Sequence, residues 1–326
     1  MQSVLDLDYA AEADRICERL RFITGQVLHR RGLVVAISGG IDSSVSCALA
    51  VRALGPDRVH ALLLPERDSD ADSAARATLL ADHLGIRRLT VDIAPALEAI
   101  GCYRARDEAV ARVLPDYGPG WRFKIVIAGG IDGQVNRFRL AAQAPDGEAV
   151  ECDLPLAEYL QIVAATNFKQ RIRKTLEYYH ADRLHYAVVG TPNRLEYDQG
   201  FFVKNGDGSA DVKPIAHLYK TQVYAMARFL GLPARVCEAV PTTDTYSLPQ
   251  GQDEFYFALP HAQMDLALWG LNNGRTPQQM AGLLDLPAEQ VELVYRDIRN
   301  KRRTTRYLHL PGQLVDETLH YDALPA

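Results

Sequence analysis

Two apolar rhythms alternate along the chain. Residues 8 to 30 place Ala11, Ile16, Leu20, Ile23 and Val27 at near-helical spacing, which predicts an opening helix. The unbroken apolar run Leu33-Val34-Val35-Ala36-Ile37 follows. It leads into Ser38-Gly39-Gly40-Ile41-Asp42-Ser43-Ser44 and then a helical pattern from Val45 to Leu54, closed by Gly55-Pro56. The order is strand, glycine turn, helix. Val59 to Leu64 reads as a second buried strand, Ser69 to Leu84 as a helix ended by Gly85, and Arg88 to Ile93 as a third strand. Continuous apolar strands alternating with helices predict an α/β fold, a doubly wound parallel sheet.

From Arg122 to about Leu154 the texture changes. Phe123–Ile127 and Asn136–Leu140 read as short strands, and Ala149–Cys152 pairs back across a Pro145-Asp146-Gly147 turn. Gly129-Gly130 with Asp132-Gly133 repeats the Gly-Gly-Ile-Asp of the first turn. No helical pattern follows it, so a structural turn is expected. A long amphipathic helix from Ile162 to Tyr179, a strand Tyr186–Val189 and a helix Lys220–Leu230 come next. Helices around 260–271, from Thr276 and over 288–301 complete the pattern, and little remains after Leu310. The expected organisation is a single domain, 1–310, with a β-rich insertion at about 118–160, a helical C-terminal part and a tail, 311–326.

At 326 residues the chain is long enough for a full core, and a net charge of -5 argues against a general nucleic-acid binder. Basic residues cluster at 169–174 and 299–306, leaving room for a local anion site. The five cysteines, Cys17, Cys47, Cys102, Cys152 and Cys237, contain no Cys-x-x-Cys pair, as reduced thiols would. No start resembling a signal peptide and no membrane-length apolar run is present, so a cytoplasmic location is expected.

The glycine turn carries the clearest chemistry. Gly39 and Gly40 allow a tight backbone with exposed amides, Ser38, Ser43 and Ser44 add hydroxyls, and the helix N-terminus adds partial positive charge: a cradle for phosphate. Asp42 would repel phosphates unless a divalent cation lay between them. A plain helix cap is the alternative. The turn lacks the Lys-Ser/Thr of a Walker loop and the spacing of a dinucleotide fingerprint.

Three further stretches stand out. Gly190-Thr191-Pro192-Asn193-Arg194-Leu195-Glu196 lies at a strand's carboxyl end, where open parallel sheets hold ligands. Glu196 is a second cation ligand or an ordinary helix-start carboxylate. Gly200 to Asp211 joins two phenylalanines to glycine and charge, as a loop whose ring faces something flat, or a solvated turn with an apolar anchor. Lys220 follows, placed to reach a phosphate. Asn167 and Arg171, four apart, share one helix face, which is a site or a solvated basic face.

Ser38–Ser43 resembles the SGGxDS loop of the ATP pyrophosphatases, the adenine nucleotide alpha hydrolase-like superfamily. Taken in order with Asn167 and Arg171, Gly190-Thr191 and Glu196, Gly200–Asp211, Lys220 and Pro241-Thr242, it closely resembles the ammonia-dependent NAD synthetase family, over roughly residues 10–95 and 160–305. Asp253-Glu254 and Lys301-Arg302 also have counterparts. The resemblance implies an AMP-forming ligase. A nicotinate carboxylate of deamido-NAD attacks the ATP α-phosphate, and ammonia then displaces AMP. It implies ATP contacts from Ser38, Gly39, Gly40, Asp42, Ser43, Ser44, Thr191, Lys220 and Thr242, with Mg2+ on Asp42 and Glu196. Asn167, Arg171, Phe201, Lys204, Asp207, Asp211, Glu254, Lys301 and Arg302 fall around the acceptor, and Asp207 is the candidate for the ammonia step. It further implies a homodimer, no membrane or nucleic-acid partner, and ammonia taken free or from a separate supplying partner.

Two departures matter. The segment 101–160 exceeds the family's usual connection, and Gly-Thr-Pro-Asn replaces the commoner Gly-Thr-Asp-His. The insertion therefore leaves an alternative, an adenylating amide ligase for another carboxylic acid. A tRNA-modifying enzyme is disfavoured by the acidic balance, and a non-catalytic nucleotide binder by the presence of Asp42, Glu196 and Lys220 together.

Overall fold

Leu33, Val34 and Val35 are wholly buried in the first strand, β1 (Leu33–Ala36), as an apolar run without alternation requires. The structure, a computed structural model, describes residues 4–128, 137–239, 246–251, 256–257 and 259–315. β1 pairs in parallel with β2 (Val59–Leu63) on one side and β7 (Ala187–Val188) on the other, and β2 pairs with β3 (Arg87–Thr90). The resulting order, β3-β2-β1-β7, turns direction beside β1. The crevice at the carboxyl ends of β1 and β7 is therefore the place where such a sheet binds ligands.

The two faces of β1 feed different cores. Leu33 and Val35 pack with α1 (Tyr9–Phe22), α2 (Ile41–Leu54) and α8 (Lys220–Phe229). Val34 packs on the opposite face with Leu97 of α4 (Ala94–Ala99), Cys102 and Tyr103 of α5 (Cys102–Val113) and Ala181 of α6 (Leu156–Leu184). Neither α4 nor α5 was expected from the apolar pattern. The buried face of α5 includes Arg106, which is 2% exposed and paired with Asp68, so a charge occupies a place that periodicity reserves for an apolar residue.

Several boundaries also move. α2 starts at Ile41, not Val45, because Gly40 is its N-cap and Asp42, Ser43 and Ser44 form its first turn. β7 has two residues rather than four, its continuation being the single bridge from Val189 to Val212. α6 runs for 29 residues, beyond both ends of the expected 162–179. The last helix continues from Ala288 to His309.

The β-rich segment is a three-stranded antiparallel sheet, β4 (Arg122–Ala128), β5 (Arg137–Gln143) and β6 (Ala149–Asp153), in that order. Gly147 N–H donates to Ala144 C=O in the expected turn. Phe123, Ile125, Leu140 and Ala142 bury one face of this sheet against Ala109 and Val110 of α5 and Ile162 of α6. The Gly129–Gly133 repeat lies outside the described residues. Helices His261–Asn272, Pro277–Leu284 and Ala288–His309 share a separate core with Leu195 and Tyr219. All five cysteines are free thiols, and among the described residues no helix is long and apolar enough to cross a membrane.

Candidate active site

The glycine turn is held by its own side chains. Gly39 has φ +80°, and a Cβ there would meet the Ser73 carbonyl oxygen at 2.2 Å, so only glycine fits. Ser43 Oγ and Ser44 Oγ both donate to Gly40 C=O, at 3.1 and 2.8 Å, and Gly40 N–H donates to Ser38 Oγ at 3.2 Å. Ser44 is fully buried, so its hydroxyl shapes the turn from behind. Arg76 of α3 (Ala71–His83) donates to the Gly39 carbonyl at 3.1 Å and lines the cleft beside it.

Asp42 is the meeting point of three elements. One carboxylate oxygen pairs with Lys220 Nζ, and the other accepts from Asn193 Nδ2 at 3.0 Å. Asn193 caps α7 (Arg194–Gln199) in a capping box. Its side chain accepts from Glu196 N–H, and Glu196 Oε2 accepts from Asn193 N–H. Asp42 and Glu196 are thus bridged by one buried asparagine. Lys220 is 2% exposed at the start of α8, where its own N–H donates to Asp265. Burial alone would lower Lys220, but Asp42 and Glu196 outweigh it and hold the ammonium above the usual lysine range. Burial pushes Asp265 up to about 6.

The second part of the site is built on α6 and the 200–211 loop. Asn167 and Arg171 line the same cleft as the phosphate turn, together with Thr191, Phe201, Lys204, Asp207 and Lys301. The cleft has a volume of about 760 Å³. Asp207 Oδ1 accepts from Val203 N–H at 2.8 Å, which closes the loop on itself. Burial raises the Asp207 carboxyl, opposed by that amide and by Lys174. Lys174 and Glu177, both buried on α6 and lining the cleft, are paired at 2.7 Å. Burial likewise raises Glu177, opposed mainly by Lys174.

The basic stretch 169–174 is only partly solvated, Arg171 being exposed while Lys169 and Lys174 are buried. Lys169, 2% exposed, bridges Glu66 and Asp68 at 2.9 and 2.8 Å, and Tyr103 OH donates to Glu66. Other expected site residues are engaged in the fold. Lys204 Nζ donates to the Tyr307 and Leu310 carbonyls, at 2.7 and 2.9 Å, where the last helix ends. Phe201 packs against Tyr256 in a tilted contact and against Phe257 edge to face, at 4.6 and 5.6 Å between ring centres. Lys301 lies 4.7 Å over the Tyr256 ring and pairs with Asp297.

Gly39, Ser44, Asp211 and Arg302 do not line the cleft. Asp211 instead accepts Val188 N–H at 2.7 Å, holding the end of β7, and Arg302 forks onto Asp198 at 2.5 and 2.7 Å. Thr242 and Glu254 lie outside the described residues. Sequence reasoning missed Arg76, Lys174, Glu177 and the bridging role of Asn193. Of these only Asn193 carried a signal, as a cap-type residue three positions before a glutamate.

The family model described as NAD synthase matches residues 15–113 and 148–307. The chain belongs to the NAD synthase family. It is an ATP-dependent carbon–nitrogen ligase of NAD biosynthesis. The NH(3)-dependent NAD(+) synthetase of Rhizobium meliloti (strain 1021) is 56% identical over 312 residues, covering 95% of this chain and 93% of that protein. The Thermotoga maritima protein of the same description is 38% identical, covering 74% and 80%. Among solved structures, NAD+ synthetase from Burkholderia pseudomallei is 26% identical with a TM-score of 0.53, each chain covered to 93%. NH3-dependent NAD synthetase from Campylobacter jejuni, at 19% identity, TM-score 0.63 and coverage of 95% and 100%, shares the fold.

Proposed function

We propose that the NAD synthase family ligase described here amidates deamido-NAD with ammonia, at the expense of ATP cleaved to AMP and pyrophosphate. The observation that carries the reading is the single cleft joining the Asp42–Lys220–Asn193 cluster to Asp207 and the Asn167–Arg171 face.

In the first step a carboxylate oxygen of the acceptor attacks the α-phosphorus and pyrophosphate leaves. Gly39 and Gly40 set the turn, the start of α2 offers amides and partial positive charge, and Lys220 supplies a fixed ammonium against the phosphates. The α/β bond then breaks in a place already arranged for its charge. In the second step nitrogen attacks the acyl carbon, the bond to AMP oxygen breaks, and a proton leaves the nitrogen. Asp207 is the group to orient ammonia and take that proton, since burial makes its carboxylate more basic than one in water.

Among the described residues no group of three or more His, Cys, Asp or Glu is arranged to hold a metal. Asp42 and Glu196, bridged through Asn193, nevertheless suit Mg2+, which commonly takes one or two carboxylates and draws its other oxygens from phosphates and water. Bound there, the ion would neutralise phosphate charge. The remaining assignments are acceptor contacts from Asn167, Arg171, Phe201, Lys204 and Lys301, and ATP contacts from Ser38, Ser43 and Thr191. The exposed Leu156, Leu160 and Phe168 on α6 support a homodimer, and a cytoplasmic location belongs to the same proposal.

Purified protein with ATP, Mg2+ and ammonium is expected to release pyrophosphate strongly only when deamido-NAD is added, with NAD and AMP formed in equal amounts. Pyrophosphate release indifferent to deamido-NAD would refute the acceptor assignment.

A further inference from the structure

The two matched family segments leave residues 114–147 between them, and these carry β4 and β5. In β5, Phe138 alternates onto the same face as Leu140 and Ala142, which are buried against the helices. Phe138 stands nearest the strand's start, where this face passes from core to cleft. It is accordingly only part-buried, and it lines the cavity. Its ring stacks on Tyr159, with centres 3.8 Å apart and planes at 13°. Tyr159 stands four residues before Val163 and eight before Asn167 on α6, so the three follow one another along one face. All three line the cleft. An aromatic surface contributed by the inserted sheet therefore runs directly into the Asn167–Arg171 face.

We propose that Phe138 and Tyr159 form a shelf that receives a planar heteroaromatic ring of the dinucleotide acceptor, making the inserted sheet part of the acceptor subsite. This rests on the deamido-NAD reading above. Two rings stacked face to face and left bordering a cleft are poorly used as core, since closing a core calls for burial on all sides. They are well suited to a flat ring, because stacking on an aromatic face needs no matching of hydrogen bonds and tolerates any base. Location selects the acceptor over ATP: the shelf adjoins Asn167 along α6, whereas the phosphate turn belongs to β1 and α2.

The test compares Phe138→Leu, which keeps apolar volume without a ring, with Phe138→Ala and Tyr159→Leu. The KM for deamido-NAD is expected to rise roughly three- to tenfold in Phe138→Leu and about tenfold or more in Phe138→Ala, with the KM for ATP unchanged. Equilibrium binding of deamido-NAD should weaken by the same factors, which covers a variant that turns over poorly. Circular dichroism and Tm would confirm that each variant is folded. Nicotinic acid mononucleotide as a competing ligand identifies the ring: a parallel rise in its Ki assigns the pyridine ring, and an unchanged Ki the adenine. An unchanged deamido-NAD KM in folded Phe138→Leu, or a rise confined to ATP, overturns the shelf. Failure of the underlying reading looks different, because the unmodified protein would then make no NAD from deamido-NAD.

Discussion

The two ends of the cleft are built in contrasting ways. At the phosphate end the functional groups come from a strand–turn–helix unit and two helix starts, and they neutralise one another: Asp42 with Lys220 and Asn193, and Glu196 with the Asn193 amide. At the acceptor end the groups come from α6, the 200–211 loop and the inserted sheet, and burial leaves Asp207 and Glu177 harder to ionise than carboxylates in water. In the proposed reaction the first end holds charge and the second moves a proton. A site that joins both can activate a carboxylate at one end and consume the activated species at the other.

The largest effect is expected where charge is held. Lys220→Met should lower pyrophosphate release by roughly 100- to 1000-fold, the range seen when one preorganised charge-stabilising donor is removed. It should also destabilise the protein by about 3 kcal/mol, because Asp42 is left without its buried partner. Asp42→Asn added to Lys220→Met should restore Tm and leave activity absent. Restored activity in the double variant would show that the pair is structural only.

Asp207→Asn comes next and separates the two ends. Formation of acyl-adenylate, followed as single-turnover pyrophosphate release, should stay near the original rate. Amide formation should fall by roughly 100-fold or more, the usual contribution of a positioned base. Equal losses in both steps would remove Asp207 from the ammonia step.

Gly39→Ala is expected to act on the phosphate end alone. The left-handed backbone costs about 1–2 kcal/mol for a residue with a Cβ, and the overlap with the Ser73 carbonyl forces the turn to shift. The ATP KM should rise while the deamido-NAD KM does not.

The smallest effect is a pH shift at the acceptor end. Arg173, Lys174 and the Val203 amide favour ionised Asp207, while burial opposes it. Lys174→Met removes a favouring charge, so Asp207 should hold its proton to higher pH. The acid limb of amide formation should then move to higher pH. A profile that stays in place would show that Lys174 does not act on Asp207.

The contrast also sets what could be read from the amino-acid order. The phosphate end is local: a run of seven residues between an apolar strand and a helix dictates its turn, and Gly39 is required by its own φ. The strands β1 and β2 and the helix between them follow from their largely apolar runs in the same way, whereas β3, Arg-Arg-Leu-Thr, is exposed along its length. The acceptor end depends on contacts between distant segments. Lys169 meets Glu66 and Phe138 meets Tyr159 only after folding, and at the phosphate end the partners of Asp42, Lys220 and Asn193, are likewise distant in the chain. α5 escaped because a buried Arg106 interrupts its apolar face, and the burial of Lys169 was hidden in a basic stretch that left a site and a solvated face both open. Asp211, expected among the acceptor residues, is engaged in the fold. A loop carboxylate beside a glycine-rich stretch looks like a ligand, yet here it closes a strand end.

The claim that the acceptor is activated as an acyl-adenylate is tested most directly by isotope transfer. With deamido-NAD carrying ¹⁸O in its nicotinate carboxylate, one turnover should leave a single labelled oxygen in AMP, the other in the NAD amide, and none in pyrophosphate. Label in pyrophosphate, or AMP without label, would contradict attack of the carboxylate on the α-phosphate.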